Sequence, residues 1–396
     1  MKSINGQYKM KQQIRTVIIT LLGVFFITIT ANSKLYAWTL FDIMTDQEQD
    51  ESETLDRFDP EKDIMFLPKL GNKDLFAAID DMSISRKKEV RKYLNLYLSR
   101  GRNFTIRGIE RSFLYKDTID QIFAENPDIP ADLAFLPLLE SCYNPTAVSR
   151  SKAMGLWQFM RNTSEPLGLQ STQWIDDRCS VTKSTEAAVR HLRTLYKTFG
   201  SWELALAAYN GGGGHVRRAM EKTDTWNFWS LLEQDVLHRE TSEYVPRFIA
   251  LLIICKNQEF FGIAGEIKSQ DPIVSDVINL KHPVPLTAVS RFSGISVTTI
   301  RRFNPELRSN ATPPGSNGYE LKLPPAGAQK LESNIESLYK QRIQPAKPVK
   351  TYKIKKGDTL SSIAVKHKTT TTAIRKANGI KNADKITPGR TIKIPR

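Results

Sequence analysis

Ile129-Pro130-Ala131-Asp132-Leu133-Ala134-Phe135-Leu136-Pro137-Leu138-Leu139-Glu140 reads as a short helix opened by Pro130, with a carboxylate at its apolar end. Leu133 and Leu136 stand seven and four residues before Glu140, so all three fall on one helical stripe. A stripe of that composition packs inward, where desolvation favours the neutral, protonated form of a carboxyl group. An acid that keeps its proton near neutral pH can deliver it to a leaving oxygen, as glycosidic-bond cleavage requires. The plain alternative is a helix-terminal glutamate turned out to solvent. The residues around Glu140 decide between the two.

Helical patterns flank this stretch at 86–98, 109–125, 185–199, 202–209, 215–222 and 244–257, and strand-like alternation is scarce there. That half of the chain is expected to be mainly α. Beyond residue 270 the pattern changes, and 350–395 reads strand–helix–helix–strand. The turn Lys356-Gly357-Asp358-Thr359-Leu360 follows its first strand, and Thr387-Pro388-Gly389 precedes its last. An internal repeat precedes it: 277–324 aligns at a constant offset of 74 through three elements. Leu286 falls on Leu360, Val289 on Ile363, Ile300 on Ile374 and Asn304 on Asn378, and 319–324 supplies the closing strand. The first copy is degenerate, with Val284-Pro285 where the second has Asp358-Thr359. Pro345 and Pro348 mark a semi-rigid linker.

At 396 residues the chain is expected to hold two or three domains. Its net charge of +15 calls for an anionic partner. Zinc-finger spacing, an RNP signature and a basic heptad segment are all missing, so no nucleic-acid partner is expected. The charge is acidic over 46–63 and basic from Lys350 onward, which suits an anionic matrix. Lys2, Lys9, Lys11 and Arg15 precede the uncharged run 16–29, a positive n-region followed by an h-region. The run is short of the roughly 20 apolar residues of a stable span. Leu35-Tyr36-Ala37 offers a cleavage site, so a cleaved signal peptide and a retained signal anchor both stand, and either exports the chain. The first cysteine is Cys142, so no lipobox Cys follows the h-region.

An exported chain meets oxidising conditions. Cys142 and Cys179 are expected to bridge, tying the Asp176-Asp177-Arg178-Cys179 turn to the loop after Glu140, and Cys255 reads as a buried helix residue. With no CxxC or HxxxH spacing, no metal is expected. The run Gly211-Gly212-Gly213-Gly214 lacks the Lys-Ser/Thr ending of a phosphate loop and reads as a flexible turn between helices. His191 and His215 read as structural. Trp202, Trp226 and Trp229 read as core, and Trp157 as either core or cleft wall.

Four blocks occur in order: Glu140-Ser141-Cys142-Tyr143-Asn144-Pro145 with Ser149, Gly155-Leu156-Trp157-Gln158-Phe159-Met160, Ala207-Ala208-Tyr209-Asn210, and Glu240-Thr241-Ser242-Glu243-Tyr244-Val245-Pro246. Together they resemble lytic transglycosylases of the soluble lytic type over about residues 105–262, and the C-terminus resembles a LysM module. The resemblance implies a mainly α, lysozyme-like catalytic domain followed by small α+β (βααβ) LysM modules. The expected division is a signal segment over 1–37, an acidic, poorly ordered lead-in over 38–85, and the catalytic domain over 86–270. A degenerate LysM-like repeat over 273–326, a linker over 327–349 and a LysM domain over 350–396 would follow.

The implied substrate is the glycan strand of peptidoglycan, cleaved in the bacterial periplasm without cofactor by Glu140 as the single acid and base. Ser141, Ser149 and Gln158 would hydrogen-bond the substrate, and Tyr209 and Asn210 would contact the reacting sugar. Glu240 would orient groups across the cleft and Tyr244 would line it. In the LysM module, Asp358, Thr359 and Asn378 would frame an N-acetylglucosamine groove. The degenerate repeat could bind glycan or pack against the catalytic domain, and the N-terminal segment could hold the chain to the membrane. The nearest rival is a lysozyme-like hydrolase. A wall-binding scaffold with an inert first domain is the non-enzymatic one.

Overall fold

The computed structural model describes residues 88–314, 318–340, 350–380, 382 and 386–394. The signal segment, the acidic lead-in, Pro345 and Pro348 lie outside the described residues. Chain contacts separate two compact units. The first runs to Val274 and includes the short segment Asn304–Arg308; the second holds Ser275–Phe303 and everything from Ser309 onward.

The first unit is helical, as the periodicity predicts. Its helices are α1 (Lys88–Leu98), α2 (Arg102–Ser112), α3 (Lys116–Ala124), α4 (Leu136–Ser141), α5 (Arg161–Ser164), α6 (Val181–Phe199), α7 (Trp202–Gly211), α8 (Gly213–Thr223), α9 (Phe228–Glu233) and α10 (Arg239–Lys256). Helix α6 shows why: Ser180 accepts the Lys183 N–H at its start, and Gly200 ends it in the left-handed region. Between those caps Ala188, Leu192, Leu195 and Phe199 bury one face. Helix α10 is different, because every residue from Tyr244 to Ile254 is buried. A helix apolar on all sides belongs at the centre, and α10 packs against both α1 and α7. Among the described residues no helix is long and apolar enough to cross a membrane.

Three local expectations change. The pattern over 109–125 is two helices, since the chain turns at Phe113–Tyr115 between α2 and α3. The stretch opened by Pro130 begins as a 3₁₀ turn, Ala131–Phe135, before becoming α4. The glycine run is barely a turn: Gly211 ends α7, Gly213 opens α8, and Gly212 at φ 82° makes the corner alone.

In the second unit β1 (Asp276–Leu280), α11 (Leu286–Ser293), α12 (Val297–Phe303) and β2 (Tyr319–Leu323) form one βααβ module. Strands β1 and β2 pair antiparallel, with Asp276 opposite Leu323. Helices α13 (Pro325–Glu332) and α14 (Ile335–Tyr339) follow. The sequence places a linker from 327, but Leu331 and Leu338, seven residues apart, are fully buried here, so 327–339 belongs to folded structure. The second module repeats the order with β3 (Lys350–Lys353), α15 (Leu360–Lys366), α16 (Thr371–Asn378) and β4 (Thr391–Ile394), Lys350 pairing with Ile394. The repeat is a repeat of core positions: Leu286, Val289 and Ile300 are as buried as Leu360, Ile363 and Ile374. Its degeneracy is a lost cap. Thr359 closes a capping box with Ser362 at the start of α15, whereas Pro285 offers α11 no side-chain cap.

Candidate active site

Leu133 and Leu136 are fully buried, so the stripe they share with Glu140 does turn inward. Helix α4 then stops abruptly. Cys142 and Tyr143 both take φ 52°, and their N–H groups close back on the Leu138 and Pro137 carbonyls. This ending leaves Glu140 half-buried on the wall of a cleft of about 490 Å³. Its carboxyl is enclosed deeply enough for burial to dominate, pushing its pKa up to about 8. The Tyr244 hydroxyl, donating to Oε1, pulls the other way, and the negative charge of Glu240 adds to the rise. A shift in that direction favours the protonated carboxyl near neutral pH, and the inward-turned stripe removes the solvent-facing alternative.

The cleft gathers polar residues from all four blocks. Helix α10 brings Glu240 and Tyr244, and α7 brings Tyr209 and Asn210. Tyr209 donates to the Trp157 carbonyl at 2.8 Å, and burial holds its phenol and that of Tyr244 well above the usual range. Asn210 donates to Glu240 Oε1 at 3.3 Å and accepts from Thr241 Oγ1 at 3.1 Å, which fixes the amide between the two helices. Ser149 and Gln158 come from the loop after α4. Gln158 sits at φ 47°, and its Nε2 donates to Gly155 O at 2.7 Å and Ala147 O at 3.3 Å. Those bonds leave Oε1 as an acceptor for a substrate N–H.

Ser141 departs from expectation. Its hydroxyl is buried and donates to Leu156 O at 2.9 Å, tying α4 to the Gly155–Phe159 loop rather than facing the cleft. The expected disulfide is also absent. Cys142 and Cys179 are both buried free thiols. Cys142 Sγ points at the Phe104 carbonyl on α2, which commits it to the α2 side of α4. Trp157 is core: fully buried, stacked on Phe123, its Nε1 donating to Thr185 Oγ1. Trp226 is not core, being 70% exposed.

Sequence reasoning missed several cleft residues, three of them close to the expected ones. His191, read as structural, lines the cleft between Phe159 and Tyr209, and burial lowers its pKa. Met160 lines it beside Phe159. Arg247 lies three residues past Tyr244 and seven past Glu240, so helical spacing alone was a usable signal. In the C-terminal module the proposed groove residues are built into the scaffold. Asp358 Oδ2 accepts the Lys355 N–H, Thr359 caps α15, and Asn378 exchanges two 2.7 Å bonds with Lys393 on β4.

A helical domain whose cleft holds a buried carboxyl of raised pKa among polar and charged side chains has the makings of an acid–base site. Family comparison narrows the class: residues 121–232 match the transglycosylase SLT domain, 274–340 the LysM-like domain of the lytic transglycosylase MltD, and 352–395 the LysM domain. Membrane-bound lytic murein transglycosylase D of Escherichia coli (strain K12) is 31% identical over 338 residues, covering 81% of this chain and 72% of that one. A putative tributyltin chloride resistance protein of Alteromonas sp. (strain M-1) is 40% identical over 97 residues, 24% of this chain and 47% of that one. Among solved structures, the 70 kDa soluble lytic transglycosylase of Escherichia coli aligns with a TM-score of 0.33 at 18% identity, over 47% of this chain and 34% of that one. The chain belongs to the lytic transglycosylase family that includes murein transglycosylase D.

Proposed function

We propose that the enzyme cleaves the MurNAc-β-1,4-GlcNAc bond of peptidoglycan without water, with Glu140 as its only acid and base. The observation that carries this reading is the enclosed Glu140 carboxyl, its pKa raised by burial, hydrogen-bonded to Tyr244 in a cleft shared with Gln158 and Tyr209. Glu140 gives its proton to the glycosidic oxygen as the C1–O4 bond breaks. The muramic N-acetyl oxygen attacks C1 from the other face, and the positive charge moves into the resulting oxazolinium ring. Glu140, now a carboxylate, takes the proton of the sugar's 6-hydroxyl. O6 then displaces the acetamido oxygen from C1, which closes a 1,6-anhydro ring and leaves Glu140 protonated.

This route needs no second carboxylate as nucleophile, whereas retaining glycosidases place one roughly 5 Å from the acid. Gln158 Oε1 is the group suited to hold the N-acetyl N–H, and Ser149, Asn210 and Glu240 complete the polar rim. An acid that becomes a base within one turnover works best with a pKa near the ambient pH, which burial of Glu140 supplies.

The C-terminal module would hold the glycan, with Asp358, Thr359 and Asn378 shaping its turns rather than spending their side chains on sugar. The expected division of the chain places the enzyme in the periplasm, exported by residues 1–37 and held near the membrane if that segment is retained. Digestion of purified murein by residues 38–396 tests the chemistry. Mass spectrometry should find 1,6-anhydro ends; products with reducing ends only would make the enzyme a hydrolase.

A further inference from the structure

The cleft loop is closed by its own backbone hydrogen bonds, Met154 and Phe159 pairing at 3.1 Å in both directions, yet it also carries strained backbone. Between Ser149 and Phe159 three residues have positive φ: Lys152 at 70°, Gly155 at 87° and Gln158 at 47°. Two of them are not glycine, and side chains rarely adopt that conformation without outside support. Beyond the loop's own hydrogen bonds, support comes from a buried side chain that does not line the cleft. Arg178 Nη1 donates to Lys152 O at 3.2 Å and to Phe159 O at 3.1 Å, gripping the loop within its first arm and at its end, and Nη2 reaches Met154 Sδ at 3.6 Å. The backbone of the same residue presses on the loop centre, since a Cβ on Gly155 would stand 1.7 Å from the Arg178 carbonyl oxygen.

Arg178 is fixed in turn. Asp176 holds it bidentately, Oδ1 to Nε and Oδ2 to Nη2, both at 2.9 Å, with both side chains almost wholly buried. Ser171 Oγ donates to Asp176 Oδ2 at 3.0 Å. The segment Asn304–Arg308 of the same unit closes the arrangement. Glu306 O accepts the Asp176 N–H at 2.9 Å, Arg308 N–H donates to Trp174 O at 2.8 Å, and Arg308 Nη1 lies 3.6 Å from Asp176 Oδ2. A strap from 128 residues further along the chain thus braces the turn that carries Arg178.

We infer that Arg178, braced by Asp176 and the Asn304–Arg308 strap, is a positioning residue that acts on substrate only through Gln158 and its loop. This rests on the proposed contact between Gln158 and the N-acetyl group. A lysine at 178 keeps the charge opposite Asp176, but its single ammonium cannot hold a bidentate carboxylate and two loop carbonyls together. A double-mutant cycle over Arg178→Lys and Gln158→Ala, read as kcat and KM on soluble glycan strands with folding checked by circular dichroism, tests the inference.

Arg178→Lys should raise KM about ten-fold, leave the alkaline limb of the pH profile in place, and add almost nothing once Gln158 is alanine. Independent, multiplicative losses would overturn the inference. A Gln158→Ala variant with wild-type KM would instead sink the substrate contact on which it rests. Arg308→Gln guards against a variant that fails to fold, because that side chain is 49% exposed. It should raise KM about two- to three-fold, again only while Gln158 is present. If Arg178→Lys does not fold and Arg308→Gln leaves KM unchanged, the inference fails.

Discussion

The Glu140 pKa is set by opposing influences: burial and the charge of Glu240 raise it, the Tyr244 hydroxyl lowers it, and the two side chains can be altered separately. If it is the acid, activity should fall as pH rises through about 8, where the proton is lost. Tyr244 stabilises the carboxylate, so Tyr244→Phe should move that alkaline limb upward; Glu240 disfavours it, so Glu240→Gln should move the limb downward. Shifts of kcat/KM profiles in the same direction for both variants would contradict the assignment. Stability follows the same linkage. The folded value lies above the ordinary 4.5, so the stability tied to neutral Glu140 is complete below 4.5 and is lost as pH rises through about 8. Glu140→Gln should therefore be more stable than wild type at pH 9 by roughly 2–4 kcal/mol, a range reduced because the carboxyl borders a solvated cleft, and should match it near pH 4. Denaturant titrations at the two pH values check this. At this scale the sequence was informative where spacing fixes direction: Leu133, Leu136 and Glu140 share a stripe because a helix has a period. It is silent where direction depends on a rotamer, as with Ser141, which turns to Leu156, and Cys142, which turns to Phe104.

The elements around the cleft are held at a few close approaches. Gly155 is the tightest, combining φ 87° with contact against the Arg178 carbonyl. Gly155→Ala should cost about 3 kcal/mol or more and open the Ser149–Phe159 loop, seen as a lower urea midpoint and faster amide exchange there. Helix number and order were readable from apolar periodicity, and the caps Ser180 and Gly200 sit where such residues belong. The break at Phe113–Tyr115 was hidden because those residues pack against the core as a helix would. Residues 327–339 were hidden for the opposite reason, since Gln329, Lys330 and Glu332 disguise the spacing of Leu331 and Leu338.

Across the whole molecule, a catalytic unit is joined to two βααβ modules whose matching was legible in sequence because the same core positions recur. What could not be read was that the strap Asn304–Arg308 belongs to the first unit, because a five-residue segment carries no periodicity. If the last module serves only to hold glycan, a chain ending at residue 349 should form the same anhydro products from soluble strands. It should bind murein sacculi about ten-fold more weakly in a pelleting assay, as expected on losing one of two linked sites. The central claim is that one carboxyl does all the proton transfer. Its most direct test is the rate of 1,6-anhydro ends released from murein by Glu140→Gln, measured by mass spectrometry on folded protein. A loss of about 100-fold to 10,000-fold is predicted, whereas release at the wild-type rate would contradict the account.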